Sequence, residues 1–235
     1  MGDRSKQLKS RSSSAEIALF LQRAEAMPLV KGSHRGRLIF ALDATASREP
    51  TWDQASHLQS SMFANTKALG DLSVQLCYYR GYRQFVASPW VEGPDQLMRM
   101  MEPVRCLGGQ TQIARVLSHA IDECRQQPVQ GVVFIGDAVE EPVDQLCDLA
   151  GQLKLCGTPL FVFHEGGEPA AARALKQIAR VSGGVYMPFT HNGSKALEAL
   201  LSAAAAFSVG GVDGVRRLPS DQAVHLAQLT RQLEP

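Results

Sequence analysis

The apolar positions of this chain change period again and again, and each change marks an element. Leu38 to Leu42 is an unbroken apolar run, the pattern of a strand buried on both faces. Leu72 to Tyr79 alternates Val74, Leu76 and Tyr78 against Ser73, Gln75 and Cys77, which predicts a strand with two unlike faces. Gly81 follows, and Gln84 to Ala87 reads as its antiparallel hairpin partner. Further buried strands are predicted at Val132 to Ile135, Leu160 to Phe163 and Val185 to Phe189. Between them the period shifts to that of a helix. Trp52, Ala55, Leu58 and Met62 fall in line between about Thr51 and Gly70, and Ile113, Val116, Leu117, Ala120, Ile121 and Cys124 form one helical face. Shorter helical patterns cover residues 94–102, Pro142 to Leu155 and Pro169 to Val181, and the last strong one runs from Ser194 to Phe207.

Strands alternating with helices predict an α/β fold: a doubly wound, mostly parallel six-stranded sheet with one antiparallel edge strand and helices on both faces. The pattern confines this domain to residues 36–207. Residues 1–12 are basic, Ser-rich and aperiodic, the composition of a disordered tail. Residues 13–35 hold a short helix, opened by a Ser13–Glu16 capping box and closed at Pro28, followed by a linker. Residues 208–235 begin as a Gly-rich linker and end on a weaker helical pattern over 220–233.

Charge and cysteine usage narrow the function classes. Lys plus Arg number 24 against 23 for Asp plus Glu, a net charge of +1, which gives no electrostatic footprint for nucleic acid. Five widely spaced cysteines without a CxxC fit free thiols in a reducing compartment. No apolar run reaches the roughly 18–20 residues of a membrane span, and no secretory or myristoylation signal opens the sequence. The expectation is a cytoplasmic protein that engages neither nucleic acid nor membrane.

In a doubly wound sheet ligands sit beyond the carboxyl ends of the strands, where the strand order reverses. The first strand ends in Asp43-Ala44-Thr45-Ala46-Ser47, three oxygen-bearing side chains in one turn. Such hard donors suit Mg²⁺, Mn²⁺ or Ca²⁺ and not zinc or copper. Thr111 stands before the strong helix, behind Gly108-Gly109-Gln110, and Asp137 follows the strand Val132 to Ile135. Each taken singly also reads as a turn residue or helix cap.

Taken together, Asp43-x-Thr45-x-Ser47, Gly109-Gln110-Thr111 and Gly136-Asp137 resemble the metal-ion-dependent adhesion site (MIDAS) of von Willebrand factor A-type (VWA) domains, in the manner of intracellular bacterial members. The resemblance implies a sheet in the order 3-2-1-4-5-6. It also implies a divalent ion, Mg²⁺ or else Mn²⁺ or Ca²⁺, held by Asp43, Thr45, Ser47, Thr111 and Asp137. A protein partner would then supply an Asp or Glu carboxylate to the open position, and the chain would bind without catalysing. Three departures stand out: Thr45 in place of the first Ser, Arg48-Glu49-Pro50 after Ser47, and Ala138 after Asp137. The second of these sets a cation beside the site.

Two other readings compete. A phosphatase of the haloacid-dehalogenase type would use Asp43 as nucleophile, but it needs a second Asp where Thr45 stands and a lysine near the phosphate. Between Asp43 and Asp137 there is only Lys67, inside a predicted helix. A metal-free interaction domain with a degenerate site is the remaining alternative. His164-Glu165 reads as a strand end, Glu140-Glu141 as the acidic start of a helix, and Met98, Met100 and Met101 as packing.

Overall fold

Three of the apolar runs become the centre of a six-stranded sheet in the computed structural model, which describes residues 36–49, 72–189 and 202–210. The strands are β1 (Gly36–Asp43), β2 (Leu72–Arg80), β3 (Gln84–Val91), β4 (Gly131–Gly136), β5 (Leu160–Glu165) and β6 (Val185–Phe189). Their spatial order is β3-β2-β1-β4-β5-β6, and all neighbours are parallel except the antiparallel pair β2–β3. This is the order and the single antiparallel edge expected from the sequence. The described helices are α1 (Pro94–Met101), α2 (Ile113–Gln126), α3 (Val143–Leu155), α4 (Pro169–Val181) and α5, the helical residues 202–210.

Each face of the sheet carries its own core. Leu38, Phe40 and Leu42 of β1 join Val74, Val133, Ile135 and Phe161 on one face, where Leu97 and Met101 of α1 and Ala203 to Ala206 of α5 cover them. On the opposite face Ile39, Ala41, Val132 and Phe134 meet Val116, Leu117, Leu146, Leu175 and Ile178 from α2, α3 and α4. Alternate residues of one strand thus feed opposite layers, which is why β1 reads as continuously apolar.

The observed elements differ from expectation at their margins. β3 continues past Ser88 and Pro89 to Val91, whereas the pattern stops at Ala87. A proline is tolerated there because β3 is an edge strand, and the register shift between Gln75 and Cys77 absorbs the irregularity. The last helix runs to residue 210, into the stretch expected to be linker. The tail 1–12, the helix and linker of 13–35, the helix expected over 51–70 with Trp52 and Lys67, residues 194–201, and the remainder of the 208–235 segment lie outside the described residues. No described helix is long and apolar enough to cross a membrane.

A polar cluster ties α2 to the far end of the sheet. Glu123 accepts hydrogen bonds from Arg37 Nη2 and Trp90 Nε1, both at 2.9 Å, and from Gln75 Nε2 at 3.3 Å. The Arg37 guanidinium lies 3.8 Å from the centre of the Trp90 ring. Burial works to raise the Glu123 pKa, but the donors from Trp90 and Gln75 and the charges of His119 and Arg37 outweigh it and hold the carboxyl below its ordinary value. His119 Nε2 donates to Gln75 Oε1 at 2.8 Å, and burial keeps its pKa below 6.5 despite Glu123. His164 is lowered in the same sense, again first by burial.

These two histidines generate a pH prediction. Each has a folded pKa below its unfolded value, so the folded state binds fewer protons and stability is lost as pH falls through the window below 6.5. Melting temperature should decline from about pH 7.5 to about pH 5.5, before the carboxylates titrate. His119→Gln, which keeps a donor for Gln75, should flatten part of that slope in calorimetric scans.

Candidate functional site

The carboxyl end of β1 is assembled from its own backbone turn. Asp43 is fully buried; its Oδ1 accepts from the Thr45 amide at 2.8 Å and its Oδ2 from the Tyr79 hydroxyl at 2.9 Å. Tyr79 is the parallel-register neighbour of Asp43 on β2, which is how its ring reaches the carboxylate. Burial raises the Asp43 pKa, the bonds from Thr45 and Tyr79 pull it down, and the charge of Asp137 pushes it up again. The net direction is upward. Burial likewise lifts Tyr79 well above its ordinary range, so the phenol stays a donor. Thr45 Oγ1 and Ser47 Oγ stand 3.1 Å apart, so the turn does bring its two hydroxyls together beside the carboxylate.

Asp137 follows β4, the strand beside β1. Gly136 permits the approach of the two ends: a Cβ there would press into the Phe134 ring and come within 3.4 Å of the Asp43 Cβ. Asp137 Oδ1 is buried and has no hydrogen-bond donor among the described residues. Its backbone oxygen accepts from His164 Nε2 at 3.1 Å. The other ring nitrogen of His164 lies 2.8 Å from the Tyr186 hydroxyl, and burial lowers the pKa of the ring.

Thr111 is committed elsewhere. Its hydroxyl donates to Glu141 Oε2 at 2.7 Å and accepts from the Glu140 amide at 2.9 Å, while its own amide donates to Glu140 Oε2 at 2.8 Å. Glu141 Oε1 also accepts from the Ala114 amide at 2.9 Å. The two glutamates thus satisfy the start of α2, whose cap residue Gln112 makes no side-chain cap bond. The sequence assigns these acids to the start of their own helix. α3 begins only at Val143, and they serve the dipole of α2 instead.

Two residues outside the candidate set complete the cluster. Arg48, in the short 3-10 turn Ala46–Arg48, is only 1% exposed and pairs with Glu165 at the end of β5. Because β4 lies between β1 and β5, that pairing carries the arginine across the strand end that bears Asp137. Burial works against the Arg48 charge, and the attraction of Asp43 and then Asp137 works for it. Sequence reasoning places the arginine near the site but misses Glu165, which the strand-end rule alone points to. It misses Tyr79 too, although a neighbouring strand in the 3-2-1-4 order is where a partner for Asp43 belongs.

A divalent ion does not fit these residues as arranged. The cation among Asp43, Asp137 and Glu165 is a guanidinium, and the Thr111 hydroxyl is already bonded on both its donor and acceptor sides. Among the described residues no three His, Cys, Asp or Glu side chains group as metal ligands.

The rim of the site is different in kind. The Leu107 amide donates to Ala44 O at 3.0 Å and Leu107 O accepts from Gly81, which stitches the 105–110 loop and the β2–β3 hairpin onto the end of β1. Gly109 lies against the Gly81 backbone so tightly that no side chain fits there. On this rim Tyr82 is 84% and Leu107 46% exposed. Arg80 Nη1 donates to Arg105 O and Arg115 Nη1 to Arg83 O, so the segments that carry these two exposed side chains also carry Arg80, Arg83 and Arg105, and Arg115 bonds to them from α2.

The buried end of β1 yields a mutational contrast. Asp43→Ala strands the Tyr79 hydroxyl and the Thr45 amide and should cost about 2–4 kcal/mol. Asp43→Asn keeps an acceptor for the Thr45 amide but turns an N–H toward Tyr79, which must then accept where it donated, and leaves Arg48 with Glu165 and Asp137, so its cost should be smaller, about 1–2 kcal/mol. Urea denaturation of the three proteins checks both values.

No family model matches the chain, and no curated protein matches it. Solved structures do. The vWF domain of the type V pili tip protein Mfa5 from Porphyromonas gingivalis superposes with a TM-score of 0.59 at 8% identity, over 76% of this chain and 97% of that one. The VWA domain of SpRpn10 gives 0.55 at 13% identity, over 74% and 95%. Proximal thread matrix protein 1 from the mussel byssus, whose MIDAS motif is occupied by zinc, gives 0.58 at 15% identity, over 75% and 47%. Identities this low speak for architecture alone. With its strand order, its antiparallel edge and these neighbours, the chain has the fold of a von Willebrand factor A-type domain.

Proposed function

We propose that this chain is a non-catalytic protein-interaction module that receives an acidic segment of a partner protein on the rim of its VWA-type fold. The observation that carries the reading is the pair Tyr82 and Leu107, exposed at the carboxyl-end face on segments that also carry Arg80, Arg83 and Arg105 and that Arg115 bonds from α2. An aromatic anchor accompanied by arginines is the composition of a binding hot spot, and the arginines match Asp or Glu carboxylates in charge and in fork geometry. Neighbours of the same fold include a pilus adhesin, SpaC from Lactobacillus rhamnosus GG, which is in keeping with a binding role. The five free thiols support a reducing, cytoplasmic setting.

A phosphatase reading has little support. Asp43 has both oxygens hydrogen-bonded and a raised pKa, which makes it a poor nucleophile, and Thr45 stands where a general acid is needed. Hydrolysis of aryl phosphates with Mg²⁺ should be absent.

A second reading, a Mg²⁺, Mn²⁺ or Ca²⁺ ion bound at Asp43, Thr45, Ser47, Thr111 and Asp137 to capture the partner carboxylate, is favoured by two observations. Asp137 Oδ1 is buried without a donor, and the hydroxyls of Thr45 and Ser47 converge. It requires Arg48 to leave its place and Thr111 to release Glu140 and Glu141.

Arrays of acidic and basic peptides carrying apolar residues, probed with the full chain, test the rim. Acidic peptides should bind, more weakly as salt rises. Arg83→Glu with Arg115→Glu should abolish that binding without lowering the melting temperature. Equal binding of basic peptides, or acidic binding indifferent to the two substitutions, would contradict the assignment.

A further inference from the structure

We propose that the Arg48 guanidinium is the resident cation of the strand-end site, standing where a divalent ion would neutralise Asp43 and Asp137, so that the site closes on itself without metal. The inference concerns the buried centre and is independent of what binds the rim.

Four observations carry it. Arg48 is among the largest fully buried side chains of the described residues, and a charge so placed persists only when anions face it. Those anions are present: Glu165 pairs with it directly, and Asp43 and Asp137 attract it. The route from the turn after β1 to the end of β5 crosses β4, so the guanidinium spans the point where the strand order reverses. Cys106 and Tyr79 nearby bring no competing charge, because burial pushes the thiol up to about 11 even with Arg48 beside it and lifts the phenol well above its ordinary range.

The alternatives for balancing this pocket fail on chemistry. Histidine is a poor source of the charge, since burial lowers the His164 pKa against the pull of the Asp137 carbonyl. Thr111, the hydroxyl expected to approach an ion from α2, instead joins α2 to the loop after β4 through two glutamates. A planar guanidinium pairs with the Glu165 carboxylate and carries a delocalised charge that Asp43 and Asp137 attract. An ion of six-fold oxygen coordination needs that same volume, so the two cations exclude each other.

The consequence is specific. Removing Arg48 should convert a metal-indifferent protein into a metal-binding one, because the Asp43 and Asp137 carboxylates then lack a counter-charge while the Thr45 and Ser47 hydroxyls stand beside Asp43 as further hard oxygen donors. The test uses the full chain, with Mn²⁺ as probe: the free-ion electron paramagnetic resonance signal counts bound metal, and melting is compared in chelator and in millimolar Mn²⁺. Wild type should leave the signal undiminished and melt at one temperature in both. Arg48→Met should melt lower in chelator by roughly 10 °C, bind Mn²⁺, and regain several degrees with it. Arg48→Lys, which keeps a cation, should remain indifferent to Mn²⁺. Arg48→Met combined with Asp137→Asn removes one unbalanced carboxylate and should recover part of the loss even without metal, which keeps the test open if the single variant folds poorly. Stoichiometric Mn²⁺ uptake by wild type with a raised melting point would overturn the proposal. So would an Arg48→Met protein as stable as wild type and blind to Mn²⁺, or a double variant no more stable than the single one.

Discussion

The reversal of strand order at β1 brings the carboxyl ends of β1 and β4 side by side, and with them two carboxylates that need a cation. Burial raises the cost of ionising Asp43, and the charge of Asp137 adds to it where water cannot screen it. The rest of the carboxyl-end face follows from this constraint. Tyr79 and the Thr45 amide satisfy the Asp43 oxygens, Gly136 lets the strand ends close up, and Arg48 crosses to Glu165 with its charge between the acids. A site of this kind is held by side chains of one chain, with Asp43 satisfied by Tyr79 and the Thr45 amide and Arg48 paired with Glu165.

That self-sufficiency shifts recognition outward. A buried guanidinium paired with carboxylates has little left to offer a visiting carboxylate, so the centre contributes rigidity and not contact. The exposed chemistry lies one step out, where the hairpin turn and the 105–110 loop are pinned to β1 by backbone hydrogen bonds and by the close approach of Gly109 to Gly81. A rigid loop pair presenting Tyr82 and Leu107 loses little entropy on binding, which is the condition under which a small apolar patch becomes useful. The Glu123 cluster at the other end of the sheet plays the comparable bracing role for α2 and β3.

Much of the fold is legible in the residues because its signals are local. Apolar runs mark β1, β4 and β5, the Ile113 to Ile121 face marks α2, and glycines mark the ends. The margins are not legible for reasons of context: Pro89 reads as a break until β3 is known to be an edge strand, and residue 208 reads as linker until Ser208 is seen buried at the end of α5. The site divides the same way. Asp43, Thr45, Ser47, Thr111 and Asp137 are visible because strand ends on an alternating chain are where chemistry collects. Their partners are not, since Tyr79, Glu165 and the glutamates on Thr111 arrive from distant segments whose own local readings are ordinary. Glu140 and Glu141 show this most clearly: the rule that acids favour a helix start holds, but for a helix that precedes them in the chain.

Whether one chain supplies its own cation at a VWA-type strand end is decided most directly by diffraction from crystals grown in Mn²⁺. The account predicts no anomalous peak among Asp43, Thr45, Ser47 and Asp137, and flat guanidinium density from Arg48 reaching Glu165. An anomalous peak at that position, with Arg48 turned away from Glu165, would contradict it.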